Sequence, residues 1–365
     1  MIIIHVLEPF ASGVTTAVSS IAAELHDYTH IIIHGSRNWT ESTEKVKKRF
    51  PAKVTFIEWK NASREISPIK DWKALLELVR LLKPLIKSKE KTVVHLHSSK
   101  AGFLGRLACC MLGKKAVIYT PHCGAFLRTD IDSFKRSLYR FFEKLGGLFG
   151  GRVVGCGPGE GALYKKLSRN VTYVSNGVSI NNEQKINSME NRNLIAFTGI
   201  ASFQKDPVLW NSVAAACYTF SKTEGFSFCW IGDGPLAEKL DHDKINVTGW
   251  KNSDDVIQLL GRTAVYFSAS AWEGLPYGVL EAMNTGCALL LRNVPGNREL
   301  VIPGENGYLF DTPEEAVGYL EKILKDRNAL AVMGKKSFQI LQKDYSIKQM
   351  GEGYRKVYNE AGENI

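Results

Sequence analysis

The sequence predicts an α/β protein of two domains, each built on a parallel β-sheet that helices cover on both faces. The chain has 365 residues, which is more than a single domain usually holds. Short β-branched runs alternate with helical segments along both halves, a rhythm typical of parallel sheets. A hydrophobic content of 44%, with 10% aromatic residues, is enough for two packed cores.

The first half contains six predicted strands and four predicted helices. The strands are IIIHVLEP, HIIIHG, VTFIEW, KTVVHLHSS, AVIYTPH and RVVGCG, and the helices cover residues 14–25, 70–88, 101–112 and 134–145. The opening run MIIIHVLEPF lacks a basic segment and carries Glu8, so we interpret it as a buried strand and not as a signal peptide. No run approaches the roughly 20 apolar residues of a membrane span.

The second half repeats the pattern with six more strands and five helices. The strands are NLIAFTG, FSFCWIGDG, NVTGW, AVYFSAS, ALLLRN and NGYLF, and the helices lie near 207–223, 253–261, 276–285, 313–325 and 328–342. The polar stretch 173–193 is the natural boundary. We therefore expect domains at 1–178 and 179–345. A last helix in 346–365 could pack on either half, and we expect it on the first.

The charge is distributed unevenly. The net charge of +10 combines 28 Lys and Arg against 14 Asp and Glu in residues 1–180 with 19 against 23 in the remainder. The basic half indicates an anionic surface or polymer as its partner. Nucleic acid is disfavoured, because no aromatic and basic recognition motif accompanies the charge. The seven scattered cysteines show no metal-ligand spacing, so we interpret them as core residues of a protein in a reducing cytosol.

Ligands of such folds bind beyond the carboxyl ends of the strands, so the loops there hold the candidate site residues. In the first half these are Gly13, the run 97–102 and His122. His95 and His97 alternate on a strand, so one of them is expected to be a core histidine, and His122 in a tight loop is the better candidate. In the second half the loops are 199–205, 232–235 and the run 270–286. Their candidates are Gly199, Lys205, Gly232 and Gly234, where Lys205 could also be an ordinary solvated lysine.

The run SAWEGLPYGVLEAMNTG, residues 270–286, carries two glutamates eight residues apart. Pro276 suits the first helical position and Gly286 the position just after the helix, so Glu273 should lie in a loop and Glu281 in the helix. The amides of residues 274–278 would form an anion site, and a ligand with phosphates and several hydroxyls would satisfy amides and acids together. The alternative is that Glu273 caps the helix and Glu281 is solvated.

Three further patterns are interpreted as structural. GCGPGEG at 155–161 differs from a dinucleotide fingerprint because Pro158 and Glu160 fall among its glycines. The pairs Asp130-x-Asp132 and Asp241-x-Asp243 imitate metal-binding acids, but such pairs arise by chance in a chain with 37 acidic residues. We expect no metal site.

The run 270–286 resembles the E-x7-E signature of retaining nucleotide-sugar glycosyltransferases of family 4, which have the GT-B fold. Seven more runs occur in the order of that family: HLHSSKAGFLGRLA, YTPHCGAF, VSNGVSI, FTGIASFQKDP, WIGDGPL, NVTGW and VPGNRELVIPGENGYLF. The resemblance covers nearly the whole chain. HSSKAG and QKDP are most similar to bacterial enzymes that build surface polysaccharides on lipid-linked acceptors, often from UDP-N-acetylhexosamines.

The resemblance implies two Rossmann-like, doubly wound domains that face an interdomain cleft, with the acceptor on the side of the first domain and the nucleotide sugar in the second. Glu281 matches the acid that holds the ribose, and Glu273 the acid that addresses the sugar hydroxyls. Lys205 matches the lysine that neutralises the diphosphate. His122 matches a histidine near the sugar 6-position and the anomeric centre, and Gly13 the loop that closes over the phosphates. Further donor-binding positions are Gly199, Gly232, Gly234, Gly274, Leu275 and Pro276. The expected catalytic residues are His122, Lys205 and Glu273. The expected donor is a UDP-sugar, with no cofactor and no essential metal, and the acceptor is a glycan or a lipid-linked sugar.

One position departs from the family pattern. An arginine usually follows the glycine that Gly199 matches, and here that position is Ile200, which cannot donate to a phosphate. Either another cation such as Arg292, Arg298 or a lysine replaces it, or the enzyme is weak, or the chain is a non-catalytic partner subunit. A GT-B epimerase is a further alternative, although we could not place the acid and base it needs.

The helix predicted at 134–145 has an amphipathic pattern. One face would carry Phe134, Leu138, Phe141, Phe142 and Leu145, with Lys135, Arg136, Arg140 and Lys144 elsewhere around it. Such a helix could lie on an anionic membrane near a lipid-linked acceptor, or face the core. We therefore expect a cytoplasmic protein, with peripheral binding to the inner face of the cell membrane as the further expectation.

Overall fold

The structure is a computed structural model that describes residues 1–36, 42–63, 67–88, 90–180 and 188–363. The chain divides into two compact units. The first comprises Met1–Leu127, Ile131–Gly177 and Ile347–Ile365, and the second comprises Arg128–Asp130 and Val178–Ser346. Each unit contains one parallel sheet with helices, so the predicted fold class is confirmed.

The first unit has a seven-stranded sheet in the order β3-β2-β1-β4-β5-β6-β7. Its strands are β1 (Ile2–Leu7), β2 (Thr29–His34), β3 (Thr55–Glu58), β4 (Thr92–His97), β5 (Val117–Thr120), β6 (Arg152–Gly155) and β7 (Val171–Tyr173). Its first helices are α1 (Ser12–Glu24), α2 (Thr43–Lys47), α3 (Pro68–Ile86), α4 (Ser99–Met111), α5 (Ser133–Leu148) and α6 (Pro158–Lys165). The strand order reverses between β1 and β4, which is where ligands bind in doubly wound sheets.

The second unit has a six-stranded sheet in the order β10-β9-β8-β11-β12-β13. Its strands are β8 (Leu194–Thr198), β9 (Ser227–Ile231), β10 (Ile245–Val247), β11 (Thr263–Ser268), β12 (Ala288–Arg292) and β13 (Gly307–Phe310). Its helices are α7 (Pro207–Thr223), α8 (Ser253–Gly261), α9 (Tyr277–Asn284), α10 (Pro295–Arg298), α11 (Pro313–Leu324) and α12 (Arg327–Asp344). The order reverses between β8 and β11.

The last helix, α13 (Ile347–Glu363), belongs to the first unit. Its Tyr354 and Tyr358 are fully buried against one face of the first sheet, in a cluster with Ile3 and Val93. The other face of that sheet is covered by α3 and α4, through a second cluster that includes Leu78. Both faces are therefore apolar, which explains the nearly continuous hydrophobic strands.

The long predicted helices and the twelve predicted strands are present, with shifts of a few residues at their ends. Four short elements were missed: β7, α2, α6 and α10. Pro276 does not open a helix as expected, since it is the N-cap of α9, whereas Gly286 follows the helix with φ +75° as predicted. Cysteines were expected in the core, and Cys110 is an exception because it is exposed.

Within the described ranges, none of the helices combines the length and the apolar character needed to cross a bilayer.

Candidate functional site

In the second unit, two loops at the carboxyl ends of β8 and β9 interlock through glycines. A Cβ on Gly232 would lie 2.2 Å from the carbonyl oxygen of Gly199, and one on Gly234 would lie 2.5 Å from that of Ala201. The Ala201 amide donates to the carbonyl of Asp233 at 2.9 Å. Gly199 and Gly232 also have φ of +150° and +143°, which favour glycine. The predicted glycines therefore allow two backbones to approach closely beside the end of the sheet.

Lys205 and Glu273 form an ion pair between the loop after β8 and the loop after β11. The ammonium of Lys205 lies 2.5 Å from a carboxylate oxygen of Glu273. Gln204 donates to the carbonyl of Trp272 at 3.0 Å and contacts the other oxygen of Glu273 at 3.4 Å. Glu273 is 5% exposed, and a buried carboxylate needs a compensating charge, which the ammonium of Lys205 supplies. Glu273 lies in a loop, as predicted.

The turn Gly274–Pro276 is held against α10 and leads into α9. A Cβ on Gly296 would lie 2.1 Å from the carbonyl oxygen of Gly274, so the short helix packs directly on the turn. Leu275 is buried. Pro276 is the N-cap of α9 and makes no side-chain hydrogen bond to the helix, whose amino end carries the positive end of the helix dipole.

Glu281 lies on α9, as predicted, and is partly buried. Burial raises the pKa of its carboxyl to about 7. Among the residues that the structure describes, no side chain forms a hydrogen bond or ion pair with this carboxylate. Glu281 is therefore not the fully solvated acid of the alternative interpretation, and its acceptor oxygens remain available to a ligand.

Ile200 follows Gly199 and is partly buried. The two arginines considered as substitutes for the missing family arginine both have protein partners. Arg292 forms an ion pair at 3.0 Å with Asp206, which follows Lys205, and Arg298 donates to the side chain of Asn293 at 2.5 Å. Lys205 and Arg292 are thus two cations that the structure places at the loop after β8.

In the first unit, strained backbone collects at the carboxyl ends of β1, β4 and β5. Ser12, Ser98, His122 and Cys123 all have positive φ, between +52° and +75°. Such conformations disfavour residues other than glycine and cluster at functional sites. The hydroxyl of Ser98 is buried with no hydrogen-bond partner in the described part of the chain. Gly13 lies exposed in the first turn of α1, a helix without a side-chain cap.

Glu160 explains the GCGPGEG run. It is 1% exposed, and its carboxylate accepts the amide of Cys123 at 2.6 Å and that of Cys156 at 2.8 Å. The run therefore holds the loop that carries His122 in its left-handed conformation. The run was correctly separated from dinucleotide motifs, but its role in holding this loop was not predicted from the sequence.

Four histidines form a continuous hydrogen-bonded chain across the first sheet. His30 bonds the carbonyl of Leu25 at 2.9 Å and His5 at 3.1 Å. His5 bonds His97 at 3.0 Å, and His97 bonds His122 at 3.0 Å. Burial lowers the pKa of His122 to about 4, lowers the pKa of His30 and holds the pKa values of His5 and His97 well below the usual range, which favours neutral rings at pH 7.

The nitrogens of His5, His95 and His97 lie within 4.8 Å of one another, a spacing that could hold a metal ion. However, both ring nitrogens of each are already hydrogen-bonded, those of His95 to Tyr358 and Thr120 at 2.8 Å. A metal would have to replace these bonds. His95 and His97 are both fully buried, so two core histidines are present where at least one was expected.

The two Asp-x-Asp pairs have structural partners. Asp130 pairs with Arg128 at 2.7 Å, and Asp132 caps α5 by accepting the amide of Lys135 at 2.8 Å. Asp241 pairs with Lys244 at 3.0 Å. These contacts agree with the interpretation of both pairs as structural.

The apolar residues of α5 do not form one core-facing surface. Phe134 is 76% exposed and Phe141 is 56% exposed, whereas Phe142 packs its ring edge-to-face on Phe103. The helix faces the unit through Glu143, which is buried and pairs with Arg106 at 3.2 Å. The exposed Phe134 and Phe141 exclude a core-facing stripe over this whole face, whereas Phe142, whose ring contacts that of Phe141, is partly buried at the edge of the face.

A cavity of about 410 Å³ in the second unit lies away from these loops. It is lined at the amino ends of β9 and β10 by residues that include Ser227, Lys244 and Ile245. Because ligands of parallel sheets bind at the carboxyl ends, we do not assign the donor site to it.

Comparison with known families matches both halves of the chain to glycosyltransferases. Residues 12–177 match the glycosyl transferase 4-like domain, and residues 179–339 match glycosyl transferases group 1. Together the two matches cover most of the sequence, and the chain belongs to the group 1 glycosyltransferases with the GT-B type of fold.

Individual relatives agree with this family. The chain is 28% identical, over 81% of each sequence, to UDP-Gal:alpha-D-GlcNAc-diphosphoundecaprenol alpha-1,3-galactosyltransferase of Escherichia coli. It is 25% identical to an uncharacterised 41.2 kDa protein in the cps region of Klebsiella pneumoniae, over 85% of this chain and 86% of that protein. Among solved structures, Anabaena HepE in complex with UDP-glucose superposes with a TM-score of 0.78 at 15% identity, over 99% of this chain and 100% of HepE. The last likeness shows the fold alone.

Replacement of Glu281 by glutamine should stabilise the protein at high pH. Because the folded-state pKa is raised above the unfolded value of 4.5, the wild type loses stability as pH rises from 4.5 to about 7. Glutamine removes this loss, so the free energy of unfolding at pH 8 should rise by roughly 3 kcal/mol, with little change at pH 5. Urea unfolding at both pH values measures it. Glu238→Gln, at an exposed position, is the control, and a gain equal at both pH values would contradict the assignment.

Proposed function

We propose that this protein transfers a hexosyl or N-acetylhexosaminyl group from a UDP-sugar to a hydroxyl of a lipid-diphosphate-linked sugar, with retention of configuration, during the synthesis of a surface polysaccharide. The E. coli relative, named for a reaction of UDP-Gal with a diphosphoundecaprenol-linked sugar, supports the donor and acceptor classes. The Klebsiella relative from a cps region supports the polysaccharide context.

The observation that carries the proposal is the ion pair of Lys205 with Glu273 in the loops that lead to the start of α9. Together these provide a cation, the positive end of a helix dipole and a carboxylate that can accept hydrogen bonds from hydroxyls. Few ligands other than a sugar joined to a diphosphate need all three in one loop system. Glu281, which has no hydrogen-bond or ion-pair partner among the described residues, would accept hydrogen bonds from the ribose hydroxyls.

The chemistry follows from where charge develops. The C1–oxygen bond to the diphosphate breaks and its electron pair leaves with UDP. The acceptor oxygen forms the new bond to C1, and its hydroxyl proton passes to an oxygen of the departing diphosphate. Negative charge grows on the diphosphate, so Lys205 and the start of α9 would stabilise the transition state more than the ground state. These groups supply the charge compensation, and we propose that no metal is required.

His122 and Gly13 belong to the first unit, and we propose that they serve the sugar and the phosphates of the donor. The strained loop of His122, fixed by Glu160, favours this role over a structural one, because strain of this kind is retained where geometry matters.

The alternative is a non-catalytic partner subunit, which Ile200 favours. The paired Lys205 and the unpartnered Glu281 favour an enzyme, because a site freed from binding gains stability by losing a buried, uncompensated carboxyl. Loss of one diphosphate donor at Ile200 should weaken turnover without abolishing it.

We further propose that α5 binds anionic membrane. Phe134, Leu138, Phe141 and Leu148 are exposed along it, next to basic residues such as Lys135. Apolar side chains at a leaflet surface combined with basic ones fit a peripheral helix close to a lipid-linked acceptor.

The two glutamates should separate nucleotide from sugar binding. We expect Glu281→Gln to weaken both UDP and UDP-sugar, and Glu273→Gln to weaken UDP-sugar while hardly changing UDP. The loss of a charge-assisted hydrogen bond should raise Kd roughly ten- to hundredfold. Calorimetry with both ligands tests this, with Glu238→Gln as the control. Equal losses for both ligands in both variants would refute the assignment.

Turnover should depend on Lys205. In a UDP-release assay with a panel of donors and a lipid-linked acceptor, Lys205→Ala should lower the rate by about 10²–10³, because a diphosphate donor is lost. Ile200→Arg should raise the rate if the guanidinium reaches the diphosphate. Lys251→Ala, at an exposed position, is the control. If the wild type and Lys205→Ala both match buffer while UDP still binds, the partner-subunit alternative holds.

Membrane binding should require the exposed aromatic residues of α5. We expect the double variant Phe134→Ser with Phe141→Ser to lose co-sedimentation with vesicles that contain anionic lipid, and we expect wild-type binding to fall as salt rises. Val332→Ser removes an equally exposed apolar residue from the second unit and should have no effect. Wild-type binding that ignores anionic lipid and persists at high salt would contradict the electrostatic part of the proposal.

A further inference from the structure

The histidine chain has a direction, which its far end sets. His30 bonds the carbonyl oxygen of Leu25 through Nε2. A carbonyl oxygen can only accept, so Nε2 of His30 must carry the hydrogen. In a neutral imidazole the other nitrogen is then an acceptor, so Nδ1 of His30 accepts from Nε2 of His5.

The same rule, that a neutral ring with its hydrogen on Nε2 accepts through Nδ1, applies to each of the other rings in turn. Nδ1 of His5 accepts from Nε2 of His97, and Nδ1 of His97 accepts from Nε2 of His122. Every ring is therefore the Nε2–H tautomer, and the lone pair of Nδ1 on His122 has no protein partner among the described residues. The four rings lie on β2, β1, β4 and the loop after β5, which are neighbours in the sheet, so each bond crosses one strand spacing.

The chain of histidines fixes which ring nitrogens carry hydrogens, but it does not transfer protons. A proton that entered at His122 could leave only through the Leu25 carbonyl, which is not a base at any ordinary pH. His5 and His97 are fully buried, and His30 is 3% exposed, so no water-exposed group ends the chain at that side. A charged ring inside the chain would also lose its hydration by burial. Because both of its nitrogens would carry hydrogens, one of them would face the hydrogen of a neighbouring ring.

We propose that His5, His30 and His97 are positioning residues that hold His122 neutral, with its hydrogen on Nε2 and the lone pair of Nδ1 presented to a substrate hydroxyl. This rests on the proposed function only for the identity of that hydroxyl, which we take to be one on the donor sugar. The tautomer itself follows from the hydrogen bonds of the first unit.

The decisive test acts three rings away from His122. His30→Leu removes the acceptor of His5, so the hydrogen on Nε2 of His5 would be left unbonded in the core. Both directions of the remaining chain then make the same number of hydrogen bonds, so the preference set by the Leu25 carbonyl is lost, and the Nδ1–H tautomer of His122 should become at least about fivefold more populated. His30→Asn places an amide oxygen near the former Nδ1 and should retain the original direction.

The readout is the long-range ¹H–¹⁵N spectrum of the full chain labelled at histidine, at pH 7, where protonated and unprotonated ring nitrogens differ in shift. Eight histidines allow assignment by single substitutions. His34→Leu is the matched control, because His34 is buried on the same strand but bonds only the Gly35 carbonyl through Nδ1. It should leave the spectrum of His122 unchanged.

A second pair of variants guards against a failure of His30→Leu to fold. His97→Leu cuts the chain next to His122, and His95→Leu removes an equally buried ring from the same strand that lies outside the chain. Only His97→Leu should change the His122 tautomer. A cationic or Nδ1–H His122 in the wild type, or equal effects of the chain variants and their controls, would overturn the proposal.

Turnover is scored separately. If the proposed transfer is correct, His30→Leu should lower kcat about tenfold with UDP binding unchanged, and His30→Asn should restore it. If His122 of the wild type is the Nε2–H tautomer but the wild type has no transferase activity, the proposed function is refuted and the positioning role remains. If the tautomer of His122 shifts in His30→Leu as expected but that variant keeps full activity, the role of the lone pair in transfer is refuted.

Discussion

The ion pair between Lys205 and Glu273 organises the second unit's candidate site. Both residues lie in loops, where no strand or helix fixes the position of the backbone. The pair joins the two, and the amide of Ala271 donates to the carbonyl of Gln204 at 2.8 Å beside it. A carboxylate that is 5% exposed requires such a partner, so the lysine is held in place before any ligand arrives.

Glu281 shows the opposite arrangement in the same unit. Its carboxyl is partly buried and has no compensating cation among the described residues, which lowers stability at neutral pH. The hydroxyl of Tyr266 is engaged with Thr198 at 2.9 Å. One acid of the candidate site is thus paired within the protein, and the other has the role in ligand binding that we propose for it. Sites of this kind give up some stability in return for binding.

The sequence predicted the sheets and long helices because β-branched runs and helical periods extend over many residues there. It missed α10 because four residues carry too little periodicity to detect, although Pro295 was a start signal. Lys205, Glu273 and Glu281 were chosen as candidate site residues because a recognisable family pattern surrounds them. The ion pair between the first two could not be predicted, since it depends on how two loops 68 residues apart meet.

The first unit was harder to predict for a physical reason. A histidine in a buried strand, such as His5 or His30, is indistinguishable in sequence from a core residue with a local partner. Their connection follows the spatial order β2-β1-β4-β5, which differs from the order along the chain. Glu160 was missed because its partners are backbone amides, which no residue type reveals. Only the strand order and the loop geometry bring these groups together.

The position of α13 has a consequence for how the chain acquires its structure during synthesis. Tyr354 and Tyr358 complete one face of the first sheet, and Tyr358 bonds His95 at 2.8 Å. These residues leave the ribosome only after all of 178–346 has been made. Until then this face of the first sheet is covered by α1 without α13, and its uncovered apolar part is open to chaperones or to aggregation. The amino-terminal half of this protein is therefore the later of the two to be finished.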